Sequence, residues 1–306
     1  MSKKNIIALL VLVIAVGAYL IISMNEPNEK VFNYFGKSEE AFHTIVIADS
    51  SSTITLVRNN DTWEMTDPVE SPIKQTKVDD LMKKLVDSKT STMPISILDT
   101  AQETYNVTNL LGTHIEISDD KGNVLRETIV GKADNYNFSY ARHPQSTEIY
   151  QLSENLTWTI KPDVKSWREN AILNLNSDNI IDFQAVTPER DYKFTYADSL
   201  WIFTENDIIH QVTDDNEVMK KLLKHFQSLR ATDFLDKEFE NYEALLQKPH
   251  LSLRINSSDE DSKVIVVIPY DATSDLMQVG SQASPLYLIQ KTFMSDFNFE
   301  LSELIE

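Results

Sequence analysis

Hydrophobic positions along the chain fall into three patterns, and each predicts a different kind of element. The first is an unbroken run, IIALLVLVIAVGAYLII at residues 6–22, seventeen uncharged and mostly apolar residues behind Lys3 and Lys4. A run of that length sits at the lower limit for a helix crossing a hydrocarbon core about 30 Å thick. Behind two lysines it reads as a targeting or anchoring segment rather than a core helix. A cleaved signal peptide, with Val16-Gly17-Ala18 as its loose cleavage site, is the alternative. The apolar run continues through Tyr19, Leu20, Ile21 and Ile22, where a mature chain would turn polar, and this favours an uncleaved anchor over residues 6–23. The lysines stay inside by the positive-inside rule, so residues 1–5 face the cytoplasm and the chain beyond a polar linker at 24–38 faces outward.

The second pattern is alternation. TITLVR and TWEMT, separated by the turn material Asn59-Asn60-Asp61, predict a hairpin with Trp63 on its inner face. YKFTY and LWIFT repeat the arrangement around Ala197-Asp198-Ser199. HIEIS and VLRETIV, then HLSLRI and KVIVVIP, predict two more hairpins, and TEIYQL and LYLIQ a last strand in each half. The third pattern is helical: Val78, Leu81, Met82, Leu85 and Val86 fall at i, i+3, i+4, i+7 and i+8, one apolar stripe. Met219, Leu222, Leu223 and Phe226 form a second stripe, behind an acidic start at Asp214, Asp215 and Glu217 that suits the helix dipole. Thr76 and Asp79 suit a cap and first turn for the first helix.

These elements recur at one spacing. Trp63 and Trp201 lie 138 residues apart; Met82 and Met219, Tyr105 and Tyr242, and Tyr150 and Tyr287 lie 137 apart; His114 and His250 lie 136 apart. The tetrapeptide MKKL occurs at both helices. A constant offset across strands, turns and helices is the mark of an internal repeat rather than of two unrelated amphipathic helices. The chain is therefore expected to be α+β: a first repeat at 39–158, a connector at 159–178 and a second repeat at 179–306. Each repeat is an antiparallel sheet with one main amphipathic helix, behind a single transmembrane helix.

Composition narrows the function. With 47 acidic and 28 basic residues the formal charge is −19, which repels rather than steers a nucleic acid. The chain has no cysteine, which removes disulfides, thiolate metal sites, a cysteine nucleophile and a lipid-bearing cysteine. Six glycines leave little material for a phosphate-cradling loop, and neither GxGxxG nor GxxxxGK[ST] occurs. His43, His114, His143, His210, His225 and His250 form no HExxH and no i, i+4 pair. SSDEDS at 257–262 lacks the glycine and ligand spacing of a calcium loop and reads as a solvated turn. No GxSxG marks an activated serine. Recurrence of Trp63 and Trp201 at one place in each repeat assigns them to the core rather than to sugar stacking. Lys83 and Lys84 read as the solvated side of the first helix. No catalytic, metal-binding or cofactor-binding residue is therefore assigned, and no cofactor is expected.

One family resemblance rests on the order of motifs: Trp63, Pro68, the amphipathic helix, a Tyr-containing segment, a DxxG-type turn at Asp119 to Gly122, Val130-Gly131-Lys132, Tyr140-Ala141-Arg142, a strand containing Tyr150, and a Trp167-Arg168-Glu169 connector. In this order the chain resembles the bacterial family of domain of unknown function 4340 over nearly everything after the anchor. It departs from the pattern at Tyr105-Asn106-Val107, where the family carries Tyr-Gly-Leu. The resemblance implies a membrane-anchored envelope protein, often encoded beside ABC-transporter components of the gliding-motility auxiliary type. The expectation is a single-pass protein of the bacterial inner membrane, its bulk periplasmic or extracellular, that serves an envelope partner such as an ABC-transporter complex as a noncatalytic accessory or scaffold. An envelope hydrolase or ligand-binding protein, with a site formed between the repeats, is the alternative.

Overall fold

The computed structural model describes residue 12 and residues 15–17, 30–132, 136–236, 242–279 and 286–305, with Lys132 described in its backbone alone. The expected anchor at 6–23 thus lies outside the described residues except for Leu12, Ala15, Val16 and Gly17, which are helical. Among the described residues no helix is long and apolar enough to cross a membrane.

In chain order the first strands are β1 (Val31–Asn33), β2 (Thr44–Ala48), β3 (Thr53–Asn59), β4 (Thr62–Asp67) and β5 (Ser71–Pro72). Helix α1 (Gln75–Asp87) follows, then β6 (Lys89–Ser91), β7 (Thr113–Ser118), β8 (Val124–Lys132), β9 (Ser139–Arg142) and β10 (Ile149–Leu152). Next come β11 (Ala171–Leu173), β12 (Ile180–Val186), β13 (Asp191–Ala197), β14 (Leu200–Glu205) and β15 (Ile208–Val212), then helix α2 (Glu217–Gln227). The last strands are β16 (Leu229–Arg230), β17 (Asp233–Leu235), β18 (Leu251–Ser257), β19 (Lys263–Pro269), β20 (Ser274–Val279) and β21 (Leu286–Gln290). The chain divides into two compact units, residues 1–58 with 76–162 and residues 59–75 with 163–306.

Within the first unit the strands follow the order β10-β9-β8-β7-β2-β3, all antiparallel. Alternation decides which side chains are inside. Ile45 on β2 faces Leu56 on β3 and Ile117 on β7, and Ile47 faces Ile54 and Ile115; all six are buried. Asp119 shapes the β7–β8 turn by accepting bonds from the backbones of Lys121 and Asn123, and Gly122 adopts φ +79° there. A left-handed residue of that kind suits glycine. Helix α1 buries Val78, Leu81, Met82 and Leu85, four of the five positions of the predicted stripe, and leaves Val86 half-buried. Each such side chain contributes about 1.5 to 3 kcal/mol through burial. Lys84 is not the solvated residue that the sequence suggests. Its ammonium donates to Thr159 Oγ1 at 2.7 Å and pairs with Asp80 at 2.9 Å.

The second unit is ordered β15-β14-β13-β12-β18-β19-β20-β21-β17, again antiparallel. Phe183 on β12 faces Phe194 on β13 and Ile255 on β18, while Ala185 faces Tyr192 and Leu253. Helix α2 buries Val218, Met219, Leu222 and Phe226, and Phe226 meets the Phe183 ring edge-on at 5.0 Å. Its N-cap is Asn216, whose side chain accepts from the backbones of Val218 and Met219. Asp214, expected at the helix start as a dipole partner, instead accepts the Trp201 indole N–H at 2.7 Å. The turn before β14 places Asp198 and Ser199 at positive φ. The β4–β5 ladder also belongs to this unit, as does Gln75, whose amide bonds both the N–H and the C=O of Trp63.

Candidate functional site

The motifs that carry the family pattern converge on buried arginines. Arg142, at the end of β9, is 3% exposed and has no carboxylate partner. Its Nε donates to Val107 O at 2.8 Å; Nη1 donates to the carbonyls of His143, Pro144 and Ser146; Nη2 donates to Asn109 Oδ1 at 2.9 Å. Burial pushes this guanidinium's pKa down, and the charge of Asp99 draws it partly back. One planar donor fork thus ties the 143–146 loop to the Tyr105-Asn106-Val107 segment.

That segment explains its own departure from the family pattern. Asn106 adopts φ +55°, the left-handed region where the family's glycine is strain-free and asparagine is the best-tolerated substitute. Gly131 packs directly beneath it: a Cβ built there would lie 2.1 Å from Tyr105 O and 2.8 Å from Asn106 O, so only glycine fits the Val-Gly-Lys step. Replacing Asn106 with glycine is expected to leave stability within about 0.5 kcal/mol of the native chain, whereas Asn106→Ala costs about 1 to 2 kcal/mol. Thermal unfolding of the two variants checks this; equal stability of both would remove the backbone explanation.

The Trp167-Arg168 connector builds the second buried arginine. Trp167 is fully buried, and Lys74 N donates to its carbonyl at 2.9 Å. Arg168, 2% exposed, donates from Nε to Ser71 Oγ and from Nη1 to both carboxylate oxygens of Asp236, and its guanidinium lies 3.9 Å over the Phe234 ring. Its Nη2 is buried with no hydrogen-bond partner.

The histidines do not assemble. His114 Nε2 lies 3.1 Å from Asn109 O, and His225 pairs with Asp296 at 2.7 Å. His114 and His250, matched by spacing, do not hold matching rungs: Thr113 faces Val130 and Leu251 faces Val267, so His114 is inside β7 while His250 precedes β18. His250 Nδ1 lies 3.8 Å from Asp275, whose Oδ1 is buried without a hydrogen-bond partner. Burial pushes the Asp275 carboxyl up, opposed by the charges of His250 and Lys291. A carboxyl with a raised folded pKa holds its proton more tightly in the native state, so stability falls as pH climbs from the unfolded value through the folded one. Asp275→Asn is therefore expected to raise the unfolding temperature at neutral pH and to flatten its fall as pH climbs above the ordinary carboxylate range. A lower melting temperature for the variant at pH 7 would contradict this assignment.

Two concavities in the second unit contain carboxylates. One, of about 280 Å³, is lined by Ser177, Asp178, Tyr196, Trp201, Asp214 and Leu223, with Asp214 already held by the indole. The other, about 240 Å³, is lined by Arg190, Glu205, Asn298, Phe299, Glu300 and Leu301. Glu205 is closed there by a two-point pair with Arg190, at 2.7 and 2.9 Å. Trp201 is 2% exposed and Trp63 5%, the core placement their recurrence implies. In the SSDEDS turn, Asp259 accepts from Asn179 and Glu260 pairs with Lys263. Among the described residues no group of three or more His, Asp or Glu is placed to hold a metal ion. The two arginine roles, the Trp201–Asp214 bond and the Asp275–His250 pair escaped the sequence because each joins residues that only the fold brings together. The Tyr-Ala-Arg and Trp-Arg motifs were the available signal for the arginines.

Each buried arginine thus holds loops and turns of its own unit in place. The model of the family described as Domain of unknown function (DUF4340) matches residues 63–249, and the chain belongs to that family. No curated protein and no solved structure matches the chain.

Proposed function

We propose that this chain is a membrane-anchored accessory protein of the bacterial envelope, noncatalytic, holding its folded units outside the cytoplasm for a protein partner. The observation that carries the reading is the way its concave, polar places are closed. Asp214 is held by Trp201, Glu205 by Arg190, and the Arg142 fork by five acceptors of its own unit. An active site instead keeps polar groups converging on open space. The anchor reading draws on the apolar run at residues 6–23, of which Leu12 and Val16 are helical and 60% and 50% exposed. Family resemblance makes an ABC-transporter component the expected partner.

The two units are read as copies of one ancestral unit. Ile45, Leu56 and Ile117 form one rung, as do Phe183, Phe194 and Ile255, 138 residues further on in all three cases. Tyr150, Ala141 and Val130 form a rung whose counterpart is Tyr287, Met277 and Val267, at offsets of 137, 136 and 137. Convergence of unrelated sheets has no reason to preserve strand order and rung partners together.

Crosslinking the full chain in native membranes, followed by mass spectrometry, tests the function. An integral membrane protein crosslinked reproducibly to the folded units is expected. Substrate turnover by the purified chain, abolished by substitution of a single polar residue, would overturn the noncatalytic reading.

A further inference from the structure

The first unit carries an apolar surface that its own fold does not use. Beyond the sheet edge at β10 the chain runs through β6 and then residues 92–98, TMPISIL. Thr90 Oγ1 donates to Gln151 O, Ile95 N to Ile149 O, and Ile149 N to Ser96 O, which holds this segment in line with β10. Its backbone bends at Thr92, Met93 and Ile95, and burial alternates along it. Here the alternation is inverted relative to an ordinary edge: Met93, Ile95 and Ile97 are 65%, 43% and 63% exposed, while Pro94 and Ser96 between them are the half-buried ones. Leu98, 63% exposed, extends the row. Outermost of all is β1, paired with β6, where Val31, 63% exposed, adds apolar surface beside the same edge. Sheet edges are ordinarily blunted with charge or proline. This one carries five exposed apolar side chains and one proline.

Its position says what covers it. Thr92 N donates to Lys30 O, so the apolar row begins where the described chain begins after residues 24–29. The expected span ends at residue 23, and the seven residues 24–30 reach at most about 25 Å when fully extended. The edge is therefore tethered within reach of the bilayer surface. A chain of formal charge −19 is not drawn to anionic headgroups, so an apolar contact is the means of docking left to it.

We propose that Val31, Met93, Ile95, Ile97 and Leu98 form a docking edge for the headgroup–acyl boundary of the membrane that carries the anchor. The edge rests on the anchor reading above and adds to it a fixed orientation for the first unit. Apolar side chains at this depth leave water while the polar backbone stays at the headgroups.

The chain's lack of cysteine makes the test direct. The full chain is reconstituted into phosphatidylcholine nanodiscs as Ile97→Cys or Thr53→Cys, each labelled with an environment-sensitive fluorophore. Thr53 is an exposed residue of β3, separated from β10 in the sheet by β9, β8, β7 and β2. The Ile97→Cys probe is expected to shift blue and to be quenched at least threefold more by brominated-chain phosphatidylcholine than the Thr53→Cys probe. Equal, weak quenching at both positions overturns the lipid edge. So does a blue-shifted Ile97→Cys probe that the lipid does not quench, which would assign the edge to a protein partner or a second copy. Resistance of the chain to carbonate extraction from vesicles is scored separately: loss there defeats the anchor reading itself, whereas retention without quenching defeats the docking edge alone.

Discussion

Leu85→Ala and Leu222→Ala are each expected to lower the free energy of unfolding by about 2 to 5 kcal/mol, the range for truncating a buried leucine in a core that relaxes only in part. Both side chains are 0% exposed, and both close the MKKL tetrapeptide on the inner face of their helix. Alanine is the best helix former, so intrinsic propensity opposes the loss rather than causing it. Lys83→Ala, on the exposed side of α1, is expected to move stability by less than about 0.5 kcal/mol. Lys84→Ala falls between the two, because it breaks the contacts to Asp80 and Thr159. Urea unfolding of the full chain in mild detergent, followed by circular dichroism, measures all four. A Leu222→Ala chain as stable as Lys83→Ala would mean that α2 does not close the core of its unit.

Arg142→Leu is expected to cost on the order of 3 kcal/mol or more, since each buried carbonyl left without its donor costs about 1 to 3 kcal/mol. Arg142→Lys is expected to recover only part of this, because one ammonium cannot reach Val107 O, Asn109 Oδ1 and the 143–146 carbonyls at once. Hydrogen exchange locates the damage: protection should fall first at residues 105–109 and 143–149, with β2 and β3 unchanged. If Arg142→Leu lost less than about 1 kcal/mol, the loop carbonyls must reach water without the guanidinium, and the arginine would be a surface feature of its unit.

What the sequence made legible was what repeats with a period. Alternation in TITLVR, HIEIS and KVIVVIP located β3, β7 and β19, and the i, i+3, i+4 stripe identified Leu81, Met82 and Leu85 as buried. Cap chemistry was less legible, because a polar side chain near a helix start has several partners to choose from. Asp214 took the Trp201 indole and left the cap to Asn216. Lys84 was misread for the same reason: nothing local indicates that Thr159, 75 residues on, will lie beneath it. The arginine clamps were marked only as letters in motifs, and no sequence pattern singled out the exposed row at 93–98. Burial there depends on whether another strand or layer arrives, and that is a property of the topology, which local pattern does not carry.

The strand order has a consequence for how each unit comes into being. Ile45 meets Ile117 and Phe183 meets Ile255, in both cases 72 residues later in the chain. The middle of each sheet therefore joins distant segments: β2–β3 and β12–β13 are local hairpins, and the other sides of β2 and β12 are filled only after a helix and a long intervening segment. Pairings of that sequence separation make folding slow, since the loop must be closed before any contact rewards it. During synthesis each nascent hairpin presents a bare strand edge rich in isoleucine or phenylalanine for the time that some 70 residues take to emerge, several seconds at about 5 to 20 residues per second. A chain made of two such units passes through that interval twice, so the time its strand edges stay open is set by translation rate rather than by final stability.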